Sequence, residues 1–488
     1  MGYCLSFVCW SILFYYFLES CYWIFSRYRF YSLEVHRNDW WIWGVVSFLV
    51  FVAVYSFFLL VFYPGVLTYD SIMQMNQVTG GNKYSNHHPW LHTIIIKNIY
   101  EFGLNLFKSS NKAVALYGLF SIGILSSSFA VAISYLRKKG LQSFILILLI
   151  GTYLLSPINQ MYSITMWKDI PFAAIIVLFT ILLCIMCDNV KNKKSNTLCY
   201  VLFVPTAFFV CFFRSNGLYV FYGMIPFLLW AFWKQRIKML IAISTVIILG
   251  SIYKGPIFNY YNISEPDLIE SLSIPAQQIA AVVAYDGNIT EEQKALLSSV
   301  VDYDQIAEIY LSSPGRSDNL KTLVRKTNNQ IYIKDHVNEF FSLYLELFKA
   351  NKRIYIKAFI DETNGYWYHQ VNSPYLWMTY IEDNGIGIER DNKFSDQVEV
   401  IVRKYLAISK ALWDEFYSVG MVIYIFFVSL FIVLQKKSKY LIAYLPCLGV
   451  WGTVLLATPV NTDMRYVYAI YIAAPFLVGL SLLKYKQE

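Results

Sequence analysis

Charge is scarce in this chain. Only 15% of its 488 residues are Asp, Glu, Lys or Arg, where a soluble globular domain carries about 25%. With 57% hydrophobic and 18% aromatic residues, an ordinary soluble fold is excluded. Cysteine is missing from every polar stretch. All eight cysteines, at positions 4, 9, 21, 184, 187, 199, 211 and 447, lie in apolar runs, so no disulfide framework is implied. Cys184 and Cys187 form a C-x-x-C pair near the end of such a run and read as small core residues rather than a metal or redox pair. There is no internal repeat and no low-complexity tract. The first apolar run lacks a basic leader and a small-residue cleavage site, so it reads as a retained helix and not a signal peptide. The apolar runs themselves are almost free of charge, with Glu19 the main exception. A coupled transporter would bury ionisable groups there, so a pump is disfavoured.

What is present is a series of apolar stretches of membrane-spanning character. A span needs about 20 mainly apolar residues. Stretches 3–25, 41–62, 113–135, 142–156, 171–187, 197–212, 217–233, 238–253, 416–434, 440–457 and 466–483 meet or approach this length. The expected fold is therefore an all-α polytopic membrane protein with about 11 transmembrane helices. The net charge of +8 is unevenly spread: segment 254–412 has 21 acidic and 16 basic residues, and the remainder has 11 acidic and 24 basic. Of those 24 cations, 17 fall in alternate connectors, around Arg27/Arg29/Arg37, Arg137–Lys139, Lys191/Lys193/Lys194, Lys234/Arg236/Lys238, Lys436/Lys437/Lys439 and Lys484/Lys486. The positive-inside rule makes those connectors cytoplasmic, which puts the N-terminus outside and the C-terminus inside. This pattern is a membrane topology signal and does not point to nucleic acid.

Three regions follow. Residues 1–253 form an N-terminal membrane bundle with a first outer loop at 63–112, residues 254–412 a mostly helical extracytoplasmic domain, and residues 413–488 the last membrane helices. In the first loop, Leu91, Ile94, Ile95, Ile99, Phe102 and Leu106 make one face of a helix over 90–108, opposite Thr93, Lys97, Glu101, Asn105 and Lys108. Such a helix is expected to lie along the outer interface. Gly103 weakens it slightly.

Every concentrated polar motif falls in the connectors assigned to the outside. Asp70 follows an apolar run, where a carboxylate either caps the helical turn Ser71–Gln77 or acts as a general base at the bilayer surface. His87, His88 and His92 sit in the same loop. The spacing of His88 and His92 suits a metal, a phosphate contact or a purely structural role. Lys168 and Asp169, beside Trp167, read either as interfacial anchors or as a phosphate-binding pair. Arg214 and Arg465 are cations placed against the positive-inside bias. Charges so placed point to function, and an anionic ligand suits Arg465. Together these groups fit a phosphate ester with a lipid tail.

The motifs Pro64-Gly65, Tyr69-Asp70-Ser71, Ser85-Asn86-His87-His88-Pro89, Trp167-Lys168-Asp169-Ile170-Pro171 and Gly365-Tyr366-Trp367 resemble those of a largely uncharacterised group of Gram-positive bacterial membrane proteins. That group is assigned to the GT-C superfamily of polytopic glycosyltransferases, which use polyprenyl-phosphate sugars. The resemblance spans roughly 41–485 as architecture. It implies that Asp70 is the essential first-loop carboxylate and that helix 90–108 is a juxtamembrane helix. Ser71 stands where many members carry a second acidic residue. A lone carboxylate is a poor divalent site, so no cofactor is assigned and a divalent metal is left open.

The expected function is transfer of a sugar from a polyprenyl-phosphate donor to an extracytoplasmic glycan, lipid or protein acceptor of the cell envelope. Asp70 is the base; His87, His88, Lys168, Asp169, Arg214 and Arg465 bind substrate and phosphate. A polysaccharide polymerase or ligase on the same face is the alternative.

Overall fold

The computed structural model describes residues 2–27, 30, 38–327 and 329–483, with the backbone alone for 2–10 and 26. The basic residues Arg29, Arg37, Lys484 and Lys486 lie outside the described residues. The fold is all helical: no strand occurs among the described residues, only isolated bridges between loops. Six helices are long and apolar enough to cross a membrane: Trp40–Val61, Ser110–Lys138, Asp169–Lys191, Trp233–Tyr260, Lys439–Ala457 and Met464–Ser481. This is the architecture of a polytopic helical membrane protein.

The count of 11 spans is not reproduced. Stretches 142–156, 197–212, 217–233 and 416–434 form helices of 13, 17, 15 and 17 residues. At about 1.5 Å per residue, the shortest reaches about 20 Å, against a hydrocarbon core of about 30 Å. Composition showed these runs to be apolar but did not reveal where each helix stops. Ser156 with Pro157 ends the first of them and opens a new six-residue helix, Pro157–Tyr162.

The connectors sort to two ends of the bundle. At one end Arg137 pairs with Asp39 at 2.5 Å, and Lys439 with Asp188 at 2.8 Å. Lys139 and the Tyr440 hydroxyl also bind Asp188. At the other end the remaining loops knit together. Val66 N donates to Ile164 O (2.9 Å), and Met166 N to Val66 O (3.1 Å). Glu382 N donates to Leu67 O (2.8 Å), Asn86 N to Ser264 O (2.8 Å), and Ser317 N to Pro459 O (2.9 Å). Loops far apart in sequence thus form one cap.

The large segment has its own apolar core, drawn from residues between Ile269 and Ala358. Tyr366, Leu376, Val402 and Leu406 belong instead to the bundle core. The Asp396–Trp413 helix lies across the bundle end, its Tyr405 hydroxyl donating to Leu155 O at 3.1 Å. Its Val400, Ile401, Ile408 and Leu412 remain exposed, which suits a helix at an apolar interface.

The first-loop helix runs Trp90–Phe107. Phe102 and Leu106 of the expected apolar face are exposed, while His92, Thr93, Ile96, Tyr100 and Gly103 are buried. Gly103 is where this helix meets Ser110–Lys138: a Cβ there would lie 2.7 Å from Ala113 Cα. The glycine serves close packing. Gly103→Val should destabilise the protein by about 1–3 kcal/mol through overpacking, read as a lower thermal midpoint in detergent.

Within the large segment, Glu362 is fully buried and neither carboxyl oxygen has a hydrogen-bond partner among the described residues. Burial pushes its pKa up to about 8, against the pull of Lys321. The folded value is above the ordinary 4.5, so this group's contribution is fully present below pH 4.5 and is lost as pH rises through about 8. Glu362→Gln should flatten the fall in thermal midpoint over that window. An unchanged slope would refute the assignment.

Candidate functional site

The site forms where the two most buried candidate spans begin. Asp169–Lys191 and Met464–Ser481 are 83% and 72% buried, and their N-termini carry Lys168-Asp169 and Arg465. Helix N-termini present unpaired N–H groups and a positive dipole end. Tyr69–Val78 also starts here, with Asp70 in its first turn.

Asp70 does not cap that helix. Ser71 Oγ accepts from Thr68 N (3.1 Å) and donates to Met166 O (2.9 Å), fixing the turn against the second loop. Trp167 Nε1 donates to Thr68 Oγ1 at 2.7 Å. With the turn held this way, the Asp70 carboxylate accepts from Arg465 Nη1 at 2.7 Å. Burial works to raise the Asp70 pKa, but the Arg465 and Lys168 charges override it and hold the carboxyl well below the usual range.

Arg465 is itself positioned from two sides. Asp463 is the N-cap of its helix, accepting from Arg465 N at 2.8 Å, and its other oxygen lies 3.6 Å from Arg465 Nε. The guanidinium also stands over the Trp167 ring, 5.1 Å from its centroid. Lys168 Nζ donates to His88 Nδ1 at 3.0 Å, which requires a neutral His88 with its proton on Nε2. Burial, with the neighbouring Lys168 ammonium, brings the His88 pKa down to about 2. Burial also lowers the Lys168 pKa, against the pull of Asp70. Among the described residues Lys168 has no carboxylate within ion-pair distance.

Arg214 and Asp169 form a buried pair, 3.1 Å apart and 8% and 3% exposed. The tight turn from Arg214 into Gly217–Ala231 places the arginine, because a Cβ at Gly217 would lie 1.8 Å from Val210 O. Arg214 Nη1 also reaches the carbonyls of Arg465 and Tyr466, at 3.5 and 3.4 Å. Arg214 is thus occupied within the protein and braces the start of the last helix.

The histidines separate. His87 is exposed beside His88, their ring centroids 4.8 Å apart. His92 is fully buried, with Nδ1 2.9 Å from Gln74 Oε1 and Nε2 2.6 Å from the Tyr117 hydroxyl. His88 and His92 therefore serve different partners and do not form a shared ligand pair. Among the described residues no group of three or more His, Cys, Asp or Glu is arranged to hold a metal ion. The donor set does not fit a divalent cation, since Asp70 is engaged by Arg465 and flanked by Lys168, and Asp463 caps the last helix beside the same guanidinium. Sequence reading passed over Asp463, Thr68 and Trp167 as working parts. The Asp463-Met464-Arg465 spacing was the available signal, an acidic N-cap two residues before a cation.

A family model described as a family of unknown function (DUF6020) matches residues 79–488. The chain belongs to the DUF6020 family. The match includes His87, His88, Lys168, Asp169, Arg214 and Arg465, and begins after Asp70. No curated protein and no solved structure matches the chain.

In this DUF6020 chain the Asp169–Arg214 pair should behave as a buried ion pair. Removing one partner strands a charge and costs about 3–5 kcal/mol. Asp169→Leu and Arg214→Met should each lower the thermal midpoint more than the double variant does. A double variant as unstable as the summed singles would argue against direct pairing.

Proposed function

We propose that this protein is a membrane glycosyltransferase of GT-C type. It moves a sugar from a polyprenyl-phosphate donor to an extracytoplasmic glycan, lipid or protein acceptor. The observation carrying this reading is the Asp70–Arg465 pair, 2.7 Å long, beside the carboxylate-free Lys168, at the meeting of helix N-termini on one end of an apolar bundle. That combination offers a base, an anion site and a lipid-facing scaffold together.

In this reading the donor phosphate binds Lys168 and competes with Asp70 for Arg465. Releasing Asp70 from the guanidinium raises its basicity toward the range a general base needs. Asp70 then takes the proton of an acceptor hydroxyl. The acceptor oxygen bonds to the anomeric carbon as the bond from that carbon to the phosphate oxygen breaks. Polyprenyl phosphate leaves, and its charge falls to Arg465 and Lys168. His88 orients Lys168, and Asp463 orients Arg465. Asp169 and Arg214 support the frame.

The topology belongs to the same proposal. Arg137, Lys139 and Lys439 share the opposite end of the bundle, which supports a cytoplasmic assignment for that end. With that end cytoplasmic, the site faces the extracytoplasmic side, the N-terminus is outside and the C-terminus inside.

The test is transfer of labelled sugar from a panel of polyprenyl-phosphate sugars by purified protein. Asp70→Asn keeps the shape and should lose about 10²–10⁴ in rate. Lys168→Met should lose about 10²–10³. Wild-type turnover left intact by Asp70→Asn would remove Asp70 as the base.

A further inference from the structure

A second cavity lies on the cap, outside the Asp70–Arg465 site. It has a volume of about 400 Å³ and is lined by Ser313, Arg316, Asn372, Asn461 and Thr462, among others. That size is within the range of small-molecule sites, about 300–1,000 Å³. Three segments distant in sequence build it: the turn before helix Asp318–Thr327, the stretch after the Gly365-Tyr366-Trp367 motif, and the loop leading to Arg465. The last of these is pinned on both sides. Ser317 N donates to Pro459 O (2.9 Å), Gly365 N to Asn461 O (3.1 Å), and the Tyr366 hydroxyl to Val460 O (3.1 Å).

The wall carries polar groups that the protein leaves unused. Thr462 is 5% exposed, and its hydroxyl has no partner among the described residues. Asn372 donates from Nδ2 to Asp414 at 3.1 Å, while its buried Oδ1 is unpartnered. Buried polar atoms usually find partners within a protein, so Thr462 Oγ1 and Asn372 Oδ1 leave two bonds for a ligand to supply. Arg316 adds a half-buried cation with no carboxylate in ion-pair range among the described residues. Carboxamides and a hydroxyl suit a polyol, and a lone guanidinium suits a phosphate or carboxylate.

We infer that this cavity binds an anionic polyol, a sugar or alditol unit bearing phosphate or carboxylate, and serves as the acceptor subsite. The word acceptor rests on the transferase reading; the binding itself does not. Thr462 is three residues before Arg465, which puts the two backbones within about 11 Å. A multi-unit acceptor held here extends to Asp70.

The test is binding to the full-length protein in detergent, by saturation-transfer NMR and calorimetry, with glycerol 3-phosphate, glucuronate and glucose as probes. The two anions should bind saturably and glucose about tenfold more weakly, a difference of about 1.4 kcal/mol. A stronger response to glycerol 3-phosphate assigns phosphate, and a stronger response to glucuronate assigns carboxylate. Arg316→Gln should weaken both anions about tenfold and leave glucose unchanged, while Asn461→Ala weakens all three. Pro314→Trp, at the exposed lip, should block the cavity without disturbing its wall and stands in for either variant if that one melts early. No binding by the wild type, or binding indifferent to folded Arg316→Gln and Pro314→Trp, overturns the inference. Arg316-dependent binding in a protein that turns over no donor sinks the transferase reading and keeps the site. Turnover without such binding does the reverse.

Discussion

The pairing of Asp70 with Arg465 is the interaction around which the charges of the cap are arranged. The two residues are 395 apart in sequence, one in the first long loop and the other opening the last helix. Charges at the end of an apolar bundle are costly unless each finds a partner. The local order satisfies that constraint acid by acid: Asp70 and Asp463 go to Arg465, and Asp169 goes to Arg214. Of the three cations gathered at this site, Lys168 has no carboxylate in ion-pair range among the described residues and is held by a neutral His88. Three carboxylates and three cations balance in formal charge, so any positive potential here comes from the helix N-termini that deliver Lys168, Arg465 and Asp70.

The sorting of polar motifs to one end was legible in the sequence, because charge is expensive in apolar runs and so marks the connectors. Asp70, Lys168 and Arg465 stood out for that reason, and the structure brings all three together. The partners were not legible. Asp70 reads equally well as a helix cap until Ser71 is seen bonding Met166 O, a contact between loops nearly a hundred residues apart. His88 and His92 have ligand spacing on a helix, yet one turns to Lys168 and the other into a buried network with Gln74 and Tyr117. Spacing along one helix carries no information about what packs against each side.

Helix length was the larger error, and it has a physical cause. Hydropathy records how apolar a run is, but helix ends are set by caps, turns and neighbouring contacts. Ser156 accepting from Asn159 N at 3.2 Å ends one apolar helix at 13 residues. Gly103 illustrates the reverse case. A glycine costs about 1 kcal/mol in a helix interior, which argues against a helix in isolation. Packed 2.7 Å from Ala113 Cα in virtual Cβ distance, it makes the helix pair possible. Tertiary contact overrides local preference at both positions.

A carboxylate held far below its ordinary pKa is a weak base, which at first sight argues against Asp70 in catalysis. In the transferase reading the charge that depresses it is also the one the substrate needs. In that reading an arriving phosphate shares the Arg465 guanidinium with Asp70 and so weakens the ion pair. The proposed base would then gain strength when the leaving group is in place. Without donor, Asp70 would stay tied to the guanidinium and would not activate water. In the transferase reading this exchange orders the reaction, donor before deprotonation, with no moving lid required. The buried Asp169–Arg214 pair would hold the last helix still while the partner changes, since Arg214 reaches the carbonyls of Arg465 and Tyr466. Rigid helices and one interchangeable ion pair are then sufficient for the coupling.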